Sequence, residues 1–87
     1  MPKKILIIDD KLELRTLVKS YFTQEGYNVC TAGDGREGLY TARHERPDLI
    51  ILDLMMPEMG GYDFMRPYTR EAATPIIVLT AKVEEND

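Results

Sequence analysis

Apolar residues follow two rhythms along this chain. In KILII (4–8), DLIILD (48–53) and PIIVLT (75–80) they run almost unbroken and rich in β-branched side chains, which predicts short strands buried on both faces. YNVCT (27–31) predicts one more strand. Between these runs the spacing changes. Leu14, Leu17, Val18, Tyr21 and Phe22 recur every three or four residues, the apolar stripe of a helix, and Gly26 supplies its stop. Asp34 with Glu37 three residues later is a capping-box spacing, so a second helix opens there and runs to about Glu45, halted by Pro47. Pro57, Gly60 and Gly61 mark a loop, and from Tyr62 to Thr74-Pro75 the pattern is helical again. Pro67 falls inside that third stretch, where an interior proline costs about 3 kcal/mol, so a short, kinked or late-starting helix is expected. The order βαβαβαβ implies a parallel sheet with right-handed crossovers.

Composition narrows the function classes. The 87 residues make one domain, and 44% hydrophobic with 30% charged residues are globular values. Eleven basic residues against fifteen acidic give a net charge of −4 with no basic stripe, which argues against nucleic-acid binding by this segment and suits a cation. The opening MPKKILIIDD is too short for a signal peptide or membrane span, so a cytoplasmic location is expected. The single cysteine, Cys30, excludes an internal disulfide and reads as a small buried hydrophobe. No GxGxxG or Walker-type loop supports a nucleotide site.

The chemistry concentrates at strand ends. Asp9 and Asp10 follow the first strand, and Asp53 follows LIIL in the third. In a parallel sheet the carboxyl ends share one edge, and if strand two lies outside strand one a crevice opens between strands one and three. Three carboxylates gathered there repel one another unless a cation neutralises them, and an all-oxygen set suits Mg²⁺. Thr80 ends the fourth strand at the same edge. Taken singly, Asp9-Asp10 could cap the next helix, Asp53 could be a solvated acid and Thr80 a mere β-former. Their coincidence at three strand ends is far more specific.

IIDD (7–10), LIILDLMMPEMGG (49–61) and PIIVLTA (75–81), in register, resemble the receiver domain of two-component response regulators over essentially the whole chain. The resemblance implies a flavodoxin-like sheet of order 2-1-3-4-5. It implies Asp53 as phosphoacceptor and Mg²⁺ held by Asp9, Asp10, Asp53 and the backbone carbonyl of Met55. Thr80 would bond the phosphoryl oxygen as the switch. The implied partners are a sensor histidine kinase and small phosphodonors, and no turnover substrate is implied. A metal-dependent phosphatase would want a second acid two residues after the nucleophile, where this chain has Met55.

Family members continue past strand four with a helix, a fifth strand bearing a phosphate-pairing lysine, and a final helix. Residues 1–87 therefore correspond to the N-terminal portion of a receiver, and Lys82 reads as a solvated loop residue rather than that lysine. Slow phosphorylation is expected, and an exposed strand-four edge should promote self-association. A receiver-like fragment without efficient phosphotransfer, acting as a structural or dimerisation piece, is the alternative. Lys11 stands where relatives often carry an acid, as local charge balance or nothing. Gly60, where many relatives have a polar residue, suggests with Gly61 positive-φ turns. His44 reads as solvated, and Met55, Met56 and Met59 as gap fillers. Tyr21, Tyr27 and Tyr40 read as core-edge residues, and Tyr62 and Tyr68 as a contact surface.

Overall fold

The computed structural model describes residues 2–53, 67–68 and 72–79. Its elements are β1 (Lys4–Ile8), α1 (Leu12–Gln24), β2 (Asn28–Ala32), α2 (Gly35–Glu45), β3 (Leu49–Asp53) and β4 (Ile76–Leu79). Every strand pairing is parallel and the spatial order is β2-β1-β3-β4. The chain thus winds outward to β2, then reverses to the other side of β1, and this reversal opens a crevice beyond the carboxyl ends of β1 and β3.

The apolar runs of β1 and β3 are buried as their pattern requires, with Ile5, Leu6, Ile7, Ile8, Ile50, Ile51 and Leu52 inside, but β4 is a correction: it lies at the end of the strand order, and Ile77, Val78 and Leu79 are exposed. Alternation along the strands divides them into two layers. Leu6, Ile8, Ile50 and Leu52 pack with Ala42 of α2 and with Tyr68, while Leu39 and Ala72 flank them. Ile5, Ile7 and Ile51 face the other way and meet Val18 and Phe22 of α1. Gly38 is the closest approach of α2 to the sheet. A Cβ there would lie 2.5 Å from Ile8 Cδ1, so a larger residue fits only if the buried Ile8 side chain or the helix shifts.

α1 departs from its predicted face. Val18 and Phe22 pack on the sheet, but Leu14, Leu17 and Tyr21 are 40%, 66% and 58% exposed. At 3.6 residues per turn these five side chains form one broad arc, and the sheet covers only the Val18–Phe22 side of it. The helix ends as expected at Gly26, with φ 98°. Tyr27 N–H donates to Phe22 O and Gly26 N–H to Thr23 O, both at 3.1 Å, the paired bonds of a Schellman motif. Tyr27 is thereby held by the cap, and β2 starts one residue later than predicted.

α2 follows its sequence signals. The Asp34 side chain accepts from Glu37 N–H at 2.8 Å, and Glu37 Oε1 accepts from Gly33 N–H at 2.7 Å. The reciprocal bond reaches one residue before the cap, a shifted version of the capping box. At the far end Pro47 keeps Arg46 out of the right-handed region, and Arg46 closes the helix at φ 49°, its N–H bonded to Ala42 O.

Pro67 and Tyr68 are helical, and Ala72 N–H donates to Tyr68 O at 3.0 Å; the rest of the predicted third helix lies outside the described residues. Tyr68 is a correction, being 3% exposed rather than part of a surface, with its hydroxyl 3.0 Å from Thr74 Oγ1. A ring with a partnered hydroxyl can fill the gap between α2 and the sheet without an unsatisfied polar atom. Tyr21 and Tyr40 are corrections of the opposite kind, both exposed; Tyr40 lies against His44, ring centroids 4.1 Å apart. Tyr27 is also exposed, and both it and Tyr21 sit edge-on to Phe22. Cys30 is half-buried on β2, its thiol pushed above 9.0 chiefly by desolvation, and it donates weakly to Ile5 O.

The amino-terminal edge of the sheet is closed by one ion pair and a set of hydrogen bonds. Lys4 Nζ lies 2.7 Å from Glu45 Oε1 and 3.2 Å from Glu45 O. Asp48 Oδ2 accepts from Lys4 N–H at 2.8 Å, and Asp48 N–H returns a bond to Lys4 O at 2.7 Å. These contacts tie β1, the end of α2 and the start of β3 together.

Candidate functional site

The opposite edge gathers the acids. β1 and β3 pair with Ile8 beside Leu52, so the next residues, Asp9 and Asp53, leave the two strands side by side. Asp9, Asp10 and Asp53 each present a carboxylate oxygen, and the three oxygens lie within 4.8 Å of one another. Asp9 and Asp53 are each only 4% exposed, whereas Asp10 faces solvent. Buried carboxylates in mutual contact need hydrogen bonds or cations to remain ionised.

Both are present. Asp9 Oδ1 accepts from Lys11 N–H at 2.8 Å, while its own N–H donates to Ala32 O at 3.1 Å and its carbonyl accepts from Arg15 Nη1 at 2.7 Å. Asp9 is therefore held by β2, by α1 and by the turn between. Lys11 Nζ lies 3.2 Å from Asp10 Oδ1, 3.2 Å from Asp53 Oδ2 and 3.7 Å from Asp9 Oδ1. Hydrogen bonds to Asp10 and then Asp53 hold its ammonium above the ordinary 10.5. Of the two readings open for Lys11, charge balance is the one realised. Lys11 is also the N-cap residue of α1, with no side-chain capping bond, so Asp9-Asp10 do not cap the helix in the usual way.

Asp9, Asp10 and Asp53 are thus brought together as predicted. Met55 and Thr80 lie outside the described residues; Leu79, the residue before Thr80, pairs with Asp53 in the sheet register. Lys82, Gly60, Gly61, Tyr62, Met56 and Met59 also lie outside them. His44 is exposed on α2 at the far end of the helix, with Nδ1 3.0 Å from Tyr40 O, as its solvated reading required. Arg15 was not singled out from sequence. Its position one helical turn after Lys11, on the side facing the end of β1, is the signal that finds it.

The donor set is all-oxygen, clustered, and carries more negative charge than Lys11 alone balances, which fits a hard divalent cation such as Mg²⁺. The family model of the response regulator receiver domain matches residues 5–87. The chain belongs to this family. Among similar receivers, the alkaline phosphatase synthesis transcriptional regulatory protein PhoP of Bacillus subtilis is 43% identical over all of this chain and 37% of its own length. The probable transcriptional regulator ycf27 of Cyanophora paradoxa is 42% identical over 91% of this chain and 33% of its own length. The chain thus spans about a third of the length of such curated relatives. In structure it is similar to the chemotaxis protein CheY4 of Vibrio cholerae (TM-score 0.86, 38% identity, 97% of this chain and 72% of that one). It is also similar to the response regulator TrrA of Thermotoga maritima, solved in complex with Mg(2+)-BeF (TM-score 0.85, 36% identity, 92% and 70%). The fold is flavodoxin-like, of the CheY type. Receiver domains are signalling modules phosphorylated by sensor histidine kinases, not turnover enzymes. No helix among the described residues is long and apolar enough to cross a membrane.

Proposed function

We propose that residues 1–87 form the N-terminal portion of a phosphoacceptor receiver in which Asp53 accepts the phosphoryl group of a cognate sensor histidine kinase. The observation that carries this is the convergence of three carboxylates from the ends of β1 and β3 within 4.8 Å. A carboxylate oxygen of Asp53 attacks phosphorus in line; the new O–P bond forms as the P–N bond of the phosphohistidine breaks, and the electron pair leaves with the imidazole. Asp9, Asp10, Asp53 and the carbonyl of Met55 would hold Mg²⁺, which when bound neutralises charge on the group in transfer. Asp9, clamped through its backbone by Arg15 and Ala32, keeps the acceptor edge from shifting. Thr80, following the β4 residue that pairs with Asp53, would bond a phosphoryl oxygen and report the new charge. The kinase and small phosphodonors are its partners, in the cytoplasm, and this acidic segment does not itself contact nucleic acid.

Intact mass after incubation with acetyl phosphate, with and without Mg²⁺, tests this reading. A single Mg²⁺-dependent phosphoryl adduct, lost in a folded Asp53→Asn variant, is the expected result. No adduct on folded wild type would overturn it. The second reading is a structural or dimerisation piece without efficient phosphotransfer. Light scattering across a concentration series separates the two, because this second reading requires self-association.

A further inference from the structure

The acidic site already contains a cation of its own. Lys11 Nζ sits against the same carboxylates, of Asp10 and Asp53, that the site would offer a metal, and it lies 3.7 Å from Asp9 Oδ1. Its backbone is pinned beside them by the bond from Lys11 N–H to Asp9 Oδ1. About half of the side chain is exposed (49%), which leaves the ammonium a path out to water.

We propose that Lys11 is a tethered counter-ion that competes with the divalent cation for Asp10 and Asp53, so that metal loading must displace its ammonium. The inference rests on the metal-site reading given above. An ammonium in contact with three carboxylates and a dication held by the same three groups oppose each other by charge and compete for one small volume. The apparent metal affinity is therefore lowered by whatever the lysine contacts contribute to the metal-free state. In that state the lysine offsets repulsion among three acids, two of them buried, and so keeps the edge assembled before a cation arrives. An ordinary surface lysine would change net charge only. Lys11 instead sets the threshold of free cation at which the acceptor becomes competent.

Amide chemical-shift titration with MgCl₂ at constant ionic strength tests this without any phosphoryl transfer. Wild type is compared with Lys11→Gln, Lys11→Arg and Lys19→Gln, the last removing an equal charge from an exposed position elsewhere on α1. Tightening of Mg²⁺ binding by roughly two- to fivefold is expected for Lys11→Gln, with Lys11→Arg and Lys19→Gln close to wild type. The metal-free melt of Lys11→Gln should fall and recover in saturating Mg²⁺. Should Lys11→Gln fail to fold without metal, Lys11→Met, which keeps the apolar stem, takes its place. Unchanged or weaker binding in the neutral variant, or equal tightening in Lys19→Gln, would overturn the role of Lys11 while leaving the metal site standing. Absence of Mg²⁺ shifts in every protein would overturn the metal-site reading and this proposal with it.

Discussion

Both ends of the sheet set a lysine against carboxylates, and burial separates what the two arrangements can do. At the amino end Lys4 faces Glu45 and Asp48, with the ion pair open to water and each acid in its own direction. At the carboxyl end Lys11 faces three acids that share one small volume, two of them inside the protein. The first pair closes an edge and is screened by solvent, the usual fate of a surface ion pair. The second concentrates three carboxylates around one ammonium, two of them buried, and that arrangement suits a cation, which in turn would offset the charge of an incoming phosphoryl group. Excess charge at a fixed position, more than ion pairing as such, distinguishes the site from the brace.

The sharpest test of that contrast is Asp53→Asn against Glu45→Gln. The first should abolish the phosphoryl adduct by intact mass while its Mg²⁺-free melt holds or rises, because a like charge has been removed; the second should leave the adduct yield unchanged. Next in size is Gly38→Ala. Its methyl group would press on Ile8, directly behind Asp9, and denaturant unfolding should show a loss of about 1–3 kcal/mol. Asp34→Ala removes the cap of α2 at the same end of the sheet and should lower stability by about 1 kcal/mol in the same assay.

The smallest effect belongs to the amino end. The hydrogen bond from Lys4, and then its charge, hold Glu45 below the ordinary 4.5, while the same contact holds Lys4 above 10.5. The Glu45 contribution is thus fully present above pH 4.5 and is lost as pH falls through its lowered folded value; the Lys4 contribution is present below 10.5 and lost as pH rises through the raised one. Melts of wild type and Glu45→Gln should differ slightly near neutrality and converge in acid. A gap that persists in acid would mean that Glu45 acts through packing.

What could be read in advance was whatever has a local cause. The strands follow from ILII and LIIL, the start of α2 from Asp34 and Glu37, the end of α1 from Gly26, and the acid cluster from aspartates at the ends of parallel strands. Long-range contacts between side chains that strand order does not itself bring together were not legible. Lys4 and Glu45 are 41 residues apart and meet only because α2 descends antiparallel to β1. Leu14, Leu17 and Tyr21 carry a helical period as good as that of Val18 and Phe22, and periodicity cannot say how wide a strip the sheet covers. Tyr68 needed the Thr74 hydroxyl before burial became favourable. Lys11 could be seen as a charge beside acids, but which oxygens its flexible stem reaches is a matter of three dimensions.

The pairing of Ile8 with Leu52 has a consequence for how the chain tolerates insertions and deletions. One residue added to or removed from β1 would slide Asp9 about 3.3 Å along the strand and turn its side chain to the opposite face. A substitution in ILII that stays apolar leaves the acids facing each other, whereas a single-codon change in length separates them even if net charge is preserved. The spacing from Lys4 to Asp9 is therefore a ruler, and length in this segment is constrained more tightly than side-chain identity.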